Sequence, residues 1–175
     1  GTYEPDEGAS LKLGDRSATF RLINAVSIRG GYAGAGEIDP NARDIGLYET
    51  ILSGHIAAED VQGWASSSPN SYHVVTSSGT DRTAVLDGFT IRGGAAMGFS
   101  PGNPADDDFK QVCGGGLYNE SGSPTLVHCT FTGNHAMCGG GMYNIEGSPT
   151  LTDCTFRANT AGISGAMHSS RGRPS

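Results

Sequence analysis

Three groups of residues in this sequence carry side chains suited to chemistry. Asp106-Asp107-Asp108 sets three carboxylates in a row. Their mutual repulsion is relieved by solvent or by a hard cation such as Ca²⁺, which takes oxygen ligands of this kind. The segment has no EF-hand spacing, and Lys110 is the one basic residue beside it. A calcium or acid/base site and a solvated acidic loop are both open readings. Tyr118, Tyr143 and His168 recur at a spacing of 25. Stacked, they make either a ring platform for a ligand or an aromatic ladder that stabilises a sheet. His128 and Asp153 share that spacing. A His–carboxylate pair is able to move protons, and on a surface it is also simply an ion pair. His55 and His73 have no evident partner, and Asp87 in Leu86-Asp87-Gly88-Phe89 reads as a turn residue. G-x-S-x-G, phosphate-loop and H-E-x-x-H patterns are absent.

What positions these residues is a repeat. Residues 113–137 and 138–162 align throughout, and 163–175 begins a third, partial copy. Cys113 falls on Cys138, Leu117 on Met142, Asn119 on Asn144, Pro124 on Pro149 and Leu126 on Leu151. Further on, Cys129 falls on Cys154, Phe131 on Phe156 and Asn134 on Asn159. Identity at fixed offsets, with glycines and prolines in place, is the signature of a solenoid. The copies are poor in helix formers and rich in Gly, Thr, Ser and Asn. Within each, apolar positions alternate with polar ones, as in short strands. The expectation is an all-β chain: a right-handed parallel β-helix of six or seven coils, three strands per coil and about 25 residues per regular coil. Strand alternation would then turn Tyr118, Tyr143 and His168 outward. The asparagine columns are expected at bends, where Asn tolerates left-handed backbone and stacks along the column.

The chain of 175 residues reads as one domain. Residues 1–112 form irregular coils carrying three longer loops, 32–47, 55–70 and 97–112. Val26-Ser27-Ile28-Arg29-Gly30-Gly31 matches Phe89-Thr90-Ile91-Arg92-Gly93-Gly94, which in turn matches Cys129 to Asn134. Tyr72–Thr76 and Thr50–Ser53 read as further strands, and His55–Val61 as a short helical turn. Long loops on a regular scaffold are where function usually sits.

Eleven Lys and Arg against 18 Asp and Glu leave a net charge of −7. That balance argues against nucleic acid as a partner. No apolar run is long enough to span a membrane. The opening Gly-Thr-Tyr, without Met and without a signal-peptide pattern, suggests a processed or excised piece. The four cysteines form two stacked pairs, Cys113 with Cys138 and Cys129 with Cys154. Buried free thiols and one or two disulfides are both compatible with that stacking. Zinc is less favoured without a C-x-x-C spacing.

The strings GGGLYN (114–119) and SPTLVHCTFTGN (123–134), with LDGFTIRGG (86–94) and YETILSG (48–54) upstream, resemble the pectate-lyase-like right-handed β-helix repeat proteins. They are also similar to the repeats of polymorphic outer-membrane and autotransporter passenger proteins. The resemblance covers nearly the whole chain. It implies a bacterial secreted or surface protein, with polysaccharide held along an outer groove. Lyases of this fold use Ca²⁺ to neutralise a uronate carboxylate and a basic residue to remove the α-proton. Members normally carry a capping segment before a motif like Gly1-Thr-Tyr-Glu-Pro5, so an open coil end and a homodimer through it are expected here.

Three functions follow as expectations. The first is a polysaccharide-binding or scaffold domain using Tyr118, Tyr143 and His168. The second is a polysaccharide lyase or glycoside hydrolase whose acid/base groups come from Asp106, Asp107, Asp108, His128 and Asp153, with Ca²⁺ on the aspartates. The third is an adhesin or passenger fragment with a protein partner.

Overall fold

The computed structural model describes residues 1–7, 12–56, 70–98 and 110–171. Every element named among them is a short β-strand. β1 (Thr2–Tyr3) comes first, followed by β2 (Phe20–Arg21), β3 (Ser27–Arg29) and β4 (Ile51–Ser53). The next pass of the chain gives β5 (Val75–Ser78), β6 (Val85–Asp87), β7 (Thr90–Arg92) and β8 (Ala95–Ala96). The two regular repeats give β9 (Leu117–Glu120), β10 (Thr125–Val127), β11 (Thr130–Thr132) and β12 (His135–Cys138), then β13 (Met142–Ile145), β14 (Thr150–Thr152), β15 (Thr155–Arg157) and β16 (Thr160–Ile163). β17 (Met167–Ser170) opens the last pass.

Each regular pass adds one strand to each of four sheets. Their orders are β1-β4-β7-β11-β15, β2-β5-β9-β13-β17, β3-β6-β10-β14 and β8-β12-β16. Every strand pair is parallel. This stacking in chain order is compatible with the expected β-helix solenoid. One detail differs from expectation. The regular passes have four strands rather than three, because His135–Cys138 and Thr160–Ile163 pair as well. The two deepest sheets hold five strands each and are offset by one pass, so the described residues run through six passes, of which the first and last are partial.

The core lies between the sheets and is built in columns. Phe20, Val75, Leu117, Met142 and Met167 form one; Ile28, Leu86, Leu126 and Leu151 form another. A third runs Leu52, Ile91, Phe131 and Phe156, where the two phenyl rings lie 4.7 Å apart and 5° from parallel. Period-two alternation puts these residues on the inner face and the threonines between them outside.

The register corrects one sequence match. Ile28 pairs with Leu86, not Ile91, and Leu52 takes the place over Ile91. The strings SIRGG and TIRGG look alike, yet they belong to different sheets. The asparagines also differ from expectation. None has left-handed backbone. That conformation falls on neighbours instead: Gly133 and Ala158 before Asn134 and Asn159, and Ser121 and Glu146 after Asn119 and Asn144. The asparagine side chains point inward, Asn119 and Asn144 at 0% exposure, Asn134 at 1%, and Asn159 half-buried. There they hydrogen-bond from pass to pass, as the column reading anticipates.

Candidate functional site

The turn between the second and third strands of each pass stacks Gly88, His128 and Asp153 in one column, since Asp87, Val127 and Thr152 are in register just before them. The turn needs left-handed backbone, with φ of 82° at Gly88, 49° at His128 and 51° at Asp153. His128 and Asp153 adopt it without being glycine, which fixes both side chains at the rim of the turn. His128 Nε2 stands 3.6 Å from Asp153 Oδ2, an ion-pair distance too long for a hydrogen bond. The expected neighbours therefore do meet.

The closer partner of His128 is Asp87. The Nδ1–H of His128 donates to Asp87 Oδ1 at 3.2 Å, and Arg43 Nη2 reaches Asp87 Oδ2 at 2.8 Å. Asp87 is 14% exposed and Asp153 72%, so the Asp87 contact is the better shielded of the two. Burial works against the Asp87 charge, yet the hydrogen bonds from Arg43 and His128, with their charges, hold its carboxyl below the usual range. An ionised Asp87 only accepts, so the proton lies on Nδ1 of His128 and Nε2 is left toward Asp153 and solvent. Asp87 is thus more than a turn residue. Its place was readable from aligning Leu86-Asp87-Gly88 with Leu126-Val127-His128. Arg43 was not readable, because it arrives on the 32–47 excursion. That excursion is pinned by the Tyr32–Arg43 bridge and by Arg43 Nε donating to the Gly30 carbonyl at 2.9 Å.

This network borders a hollow of about 250 Å³. Ile45, Gly46, Glu49 and Thr50 form one wall; Gly88, Phe89, Thr90, His128 and Thr130 form the other. Glu49 Oε1 accepts from the Thr90 hydroxyl at 2.8 Å. One imidazole, one carboxylate and a set of hydroxyls thus surround a concave space with Phe89 and Ile45 as apolar flanks. A larger hollow of about 420 Å³ lies along Arg21–Asn24 and Ser78–Thr80, with Arg21 as its one charged lining residue.

The ring column forms as expected. Tyr118, Tyr143 and His168 are strand partners, with centroids 5.9 Å and 5.4 Å apart and planes within 16° and 7°. His73 extends it, 5.1 Å from Tyr118, with its Nδ1–H donating to the Gly114 carbonyl at 2.9 Å. His73 therefore has partners, as does His55, whose Nδ1 lies 3.1 Å from Glu4 Oε1. The rings turn away from the main core, but they are not an open face. Tyr118 and Tyr143 are each 5% exposed, packed with Val112, Cys113, Cys138 and Ile145. Desolvation raises both hydroxyls above the ordinary tyrosine pKa and lowers His73 to about 4 against the Gly114 bond.

Asp106, Asp107 and Asp108 lie outside the described residues, as does most of 55–70. Among the described residues, no three His, Cys, Asp or Glu side chains are grouped to hold a metal ion. No helix among them is long and apolar enough to cross a membrane. Set against protein-family models, curated proteins and solved structures, the chain finds no match.

Proposed function

We propose that this chain is a secreted or surface-exposed right-handed parallel β-helix domain, with about 25 residues per regular coil, that binds polysaccharide in a scaffold role. The near-universal right hand of parallel β crossovers supports the handedness. The observation that carries the function is the hollow between the 45–50 segment and the turn column. Glu49, His128, Thr90 and Thr130 offer the mixed donors and acceptors that sugar hydroxyls need, with Phe89 and Ile45 flanking them. The covered Tyr118 and Tyr143 rings then serve the sheet, and the binding role moves to the hollow.

A second reading is a polysaccharide lyase or glycoside hydrolase. It is favoured by His128 being held by Asp87 with Asp153 on its other nitrogen, an arrangement suited to general acid/base work. The test is a polysaccharide retention and activity panel, run with Ca²⁺ and with chelator, reading unsaturated products and reducing ends separately. Binding predicts that Glu49→Gln and His128→Gln reduce retention with unchanged melting temperature. Equal retention by both variants would sink it. Product formation that His128→Gln abolishes would move the assignment to the enzyme.

A further inference from the structure

The four cysteines are free thiols placed as two pairs on adjacent passes. Cys113 and Cys138 are direct parallel bridge partners. The Gly114 N–H donates to the Cys138 carbonyl at 2.9 Å, which holds the two passes together beside the pair. Cys129 and Cys154 are fixed from both sides. Val127 pairs with Thr152 just before them, and Thr130 with Thr155 just after. In-register neighbours on parallel strands lie about 4.8 Å apart, inside the Cα window of about 4.4–6.8 Å that a disulfide accepts.

Each pair has the same asymmetry. Cys113 and Cys129 are buried; Cys138 and Cys154 are half-buried. In each pair a reagent from solvent therefore approaches the half-buried cysteine first. We propose that Cys129–Cys154 and Cys113–Cys138 are two dithiol sites that close into disulfides linking adjacent passes when the folded chain meets a disulfide oxidant.

The step balances by thiol–disulfide exchange. The Cys154 thiolate attacks one sulfur of a small-molecule disulfide, forming a mixed disulfide and expelling the other sulfur as a thiolate. Cys129 then gives up its proton and attacks Cys154 Sγ, and the second half of the reagent leaves as a thiolate. The protein dithiol is oxidised and the reagent is reduced to two thiols. Cys138 and Cys113 follow the same course. The hydrogen bond between Cys129 and Cys154 lowers the Cys154 thiol to about 7 and raises that of Cys129, so Cys154 is the attacking sulfur of its pair.

The location gives this bond a consequence. Cys129 follows His128 and Cys154 follows Asp153. A bond between the sulfurs ties together the turn that presents His128 to the hollow and the turn that carries Asp153. The inference about the thiols stands without the polysaccharide reading, since it rests on the register and burial of the four cysteines.

The test uses the full chain, reduced, folded and then exposed to oxidised glutathione. Cleavage after Glu120 and Glu146, combined with cleavage after Met137, puts each cysteine on its own fragment. Mass spectrometry without reductant should find the fragment of Cys129 joined to that of Cys154, and Cys113 to Cys138, with the loss of all four alkylatable thiols. Cys154→Ser should abolish the first link and leave the second. Should that variant fail to fold, Cys138→Ser decides, with the Cys113–Cys138 link lost and the Cys129–Cys154 link kept. Thiols that stay alkylatable in the folded chain, links that form only in denaturant, or Cys129 joined to Cys138 would each overturn the proposal.

Discussion

The Nδ2 of Asn119 donates twice, to the Gly122 carbonyl of its own turn at 2.8 Å and to Oδ1 of Asn144 on the next pass at 2.7 Å. Asn144 repeats the pattern with Gly147 and with the Ser169 hydroxyl, both at 3.0 Å. Each amide therefore closes a turn and fastens it to the next one. Buried polar groups left without partners cost about 1–3 kcal/mol each. Asn144→Ala strands the Gly147 carbonyl and one Asn119 donor hydrogen, so a loss of roughly 2–4 kcal/mol is expected in urea unfolding. Asn144→Asp keeps the shape, removes both donors and buries a charge, and should do no better. A loss within experimental error for both variants would mean that the ladder contributes nothing net.

The ring column gives the second prediction. Tyr143 lies between Tyr118 and His168, buried on both faces. Tyr143→Ala removes two stacking contacts and opens a cavity, and should cost about 3–5 kcal/mol. Tyr143→Phe keeps the stack and loses the hydroxyl's bond to Ser170, so about 1 kcal/mol is expected. Thermal unfolding distinguishes the two. An unchanged melting temperature for Tyr143→Ala would return the column to the role of an open ligand platform.

Much of the fold was readable because the regular passes repeat without insertion. Leu117 over Met142 and Phe131 over Phe156 need only constant spacing, and the pairs meet as aligned. Earlier passes carry excursions of different length, so the spacing fails and local similarity misleads. The shared Ile-Arg-Gly-Gly aligns Ile28 with Ile91, although the inner column needs it over Leu86. The site was half readable for the same reason. His128 and Asp153 belong to the repeat, whereas Arg43 and Glu49 come from chain with no periodicity.

His73 supplies a pH prediction. Burial lowers it from 6.5 to about 4. As pH falls, the unfolded chain binds this proton first, so stability is fully present above about 6.5 and is lost progressively down to about 4. At about 1.4 kcal/mol per pKa unit, and with the ring only partly covered, the loss is on the order of 1–3 kcal/mol. The lowered carboxylates Asp15, Asp81 and Asp87 keep their contribution above their ordinary value of 3.8, so they act below this window. His73→Phe should flatten the stability profile between pH 6.5 and 4. An NMR titration placing His73 near 6.5 would remove the basis for it.

Arg43 and Asp87 should be coupled. Arg43→Met removes the 2.8 Å contact and the bond to Gly30, leaving His128 as the remaining hydrogen-bond donor to Asp87. The Asp87 carboxyl should then titrate at higher pH, read from its ¹³C shift. The 32–47 excursion should be cut faster by a protease. A double-mutant cycle with Asp87→Asn should give about 1–2 kcal/mol of coupling, as for a partly shielded charged hydrogen bond. Additive effects would mean that the excursion is held by its apolar contacts, such as Ile45 against Gly31 and Gly88.

Two glycines separate steric from conformational demand. Gly133 has φ of 62° with open space around it, and the equivalent place one pass on is Ala158 at φ 50°. The turn therefore tolerates a methyl group there, and Gly133→Ala should cost about 1 kcal/mol or less. Gly116 does not have left-handed backbone, yet a Cβ on it would lie 2.3 Å from the Gly141 carbonyl oxygen and 2.9 Å from Asn134 Nδ2. The obstruction is backbone of the adjacent pass, which can move only by breaking the Leu117–Gly141 hydrogen bond of 2.9 Å. Gly116→Ala should therefore cost 3 kcal/mol or more, on the order of an overpacked core position, even though alanine is the better residue for ordinary backbone. Equal melting temperatures for the two variants would show that the passes can separate locally at little cost, and that their close stacking is not what holds the turn column in place.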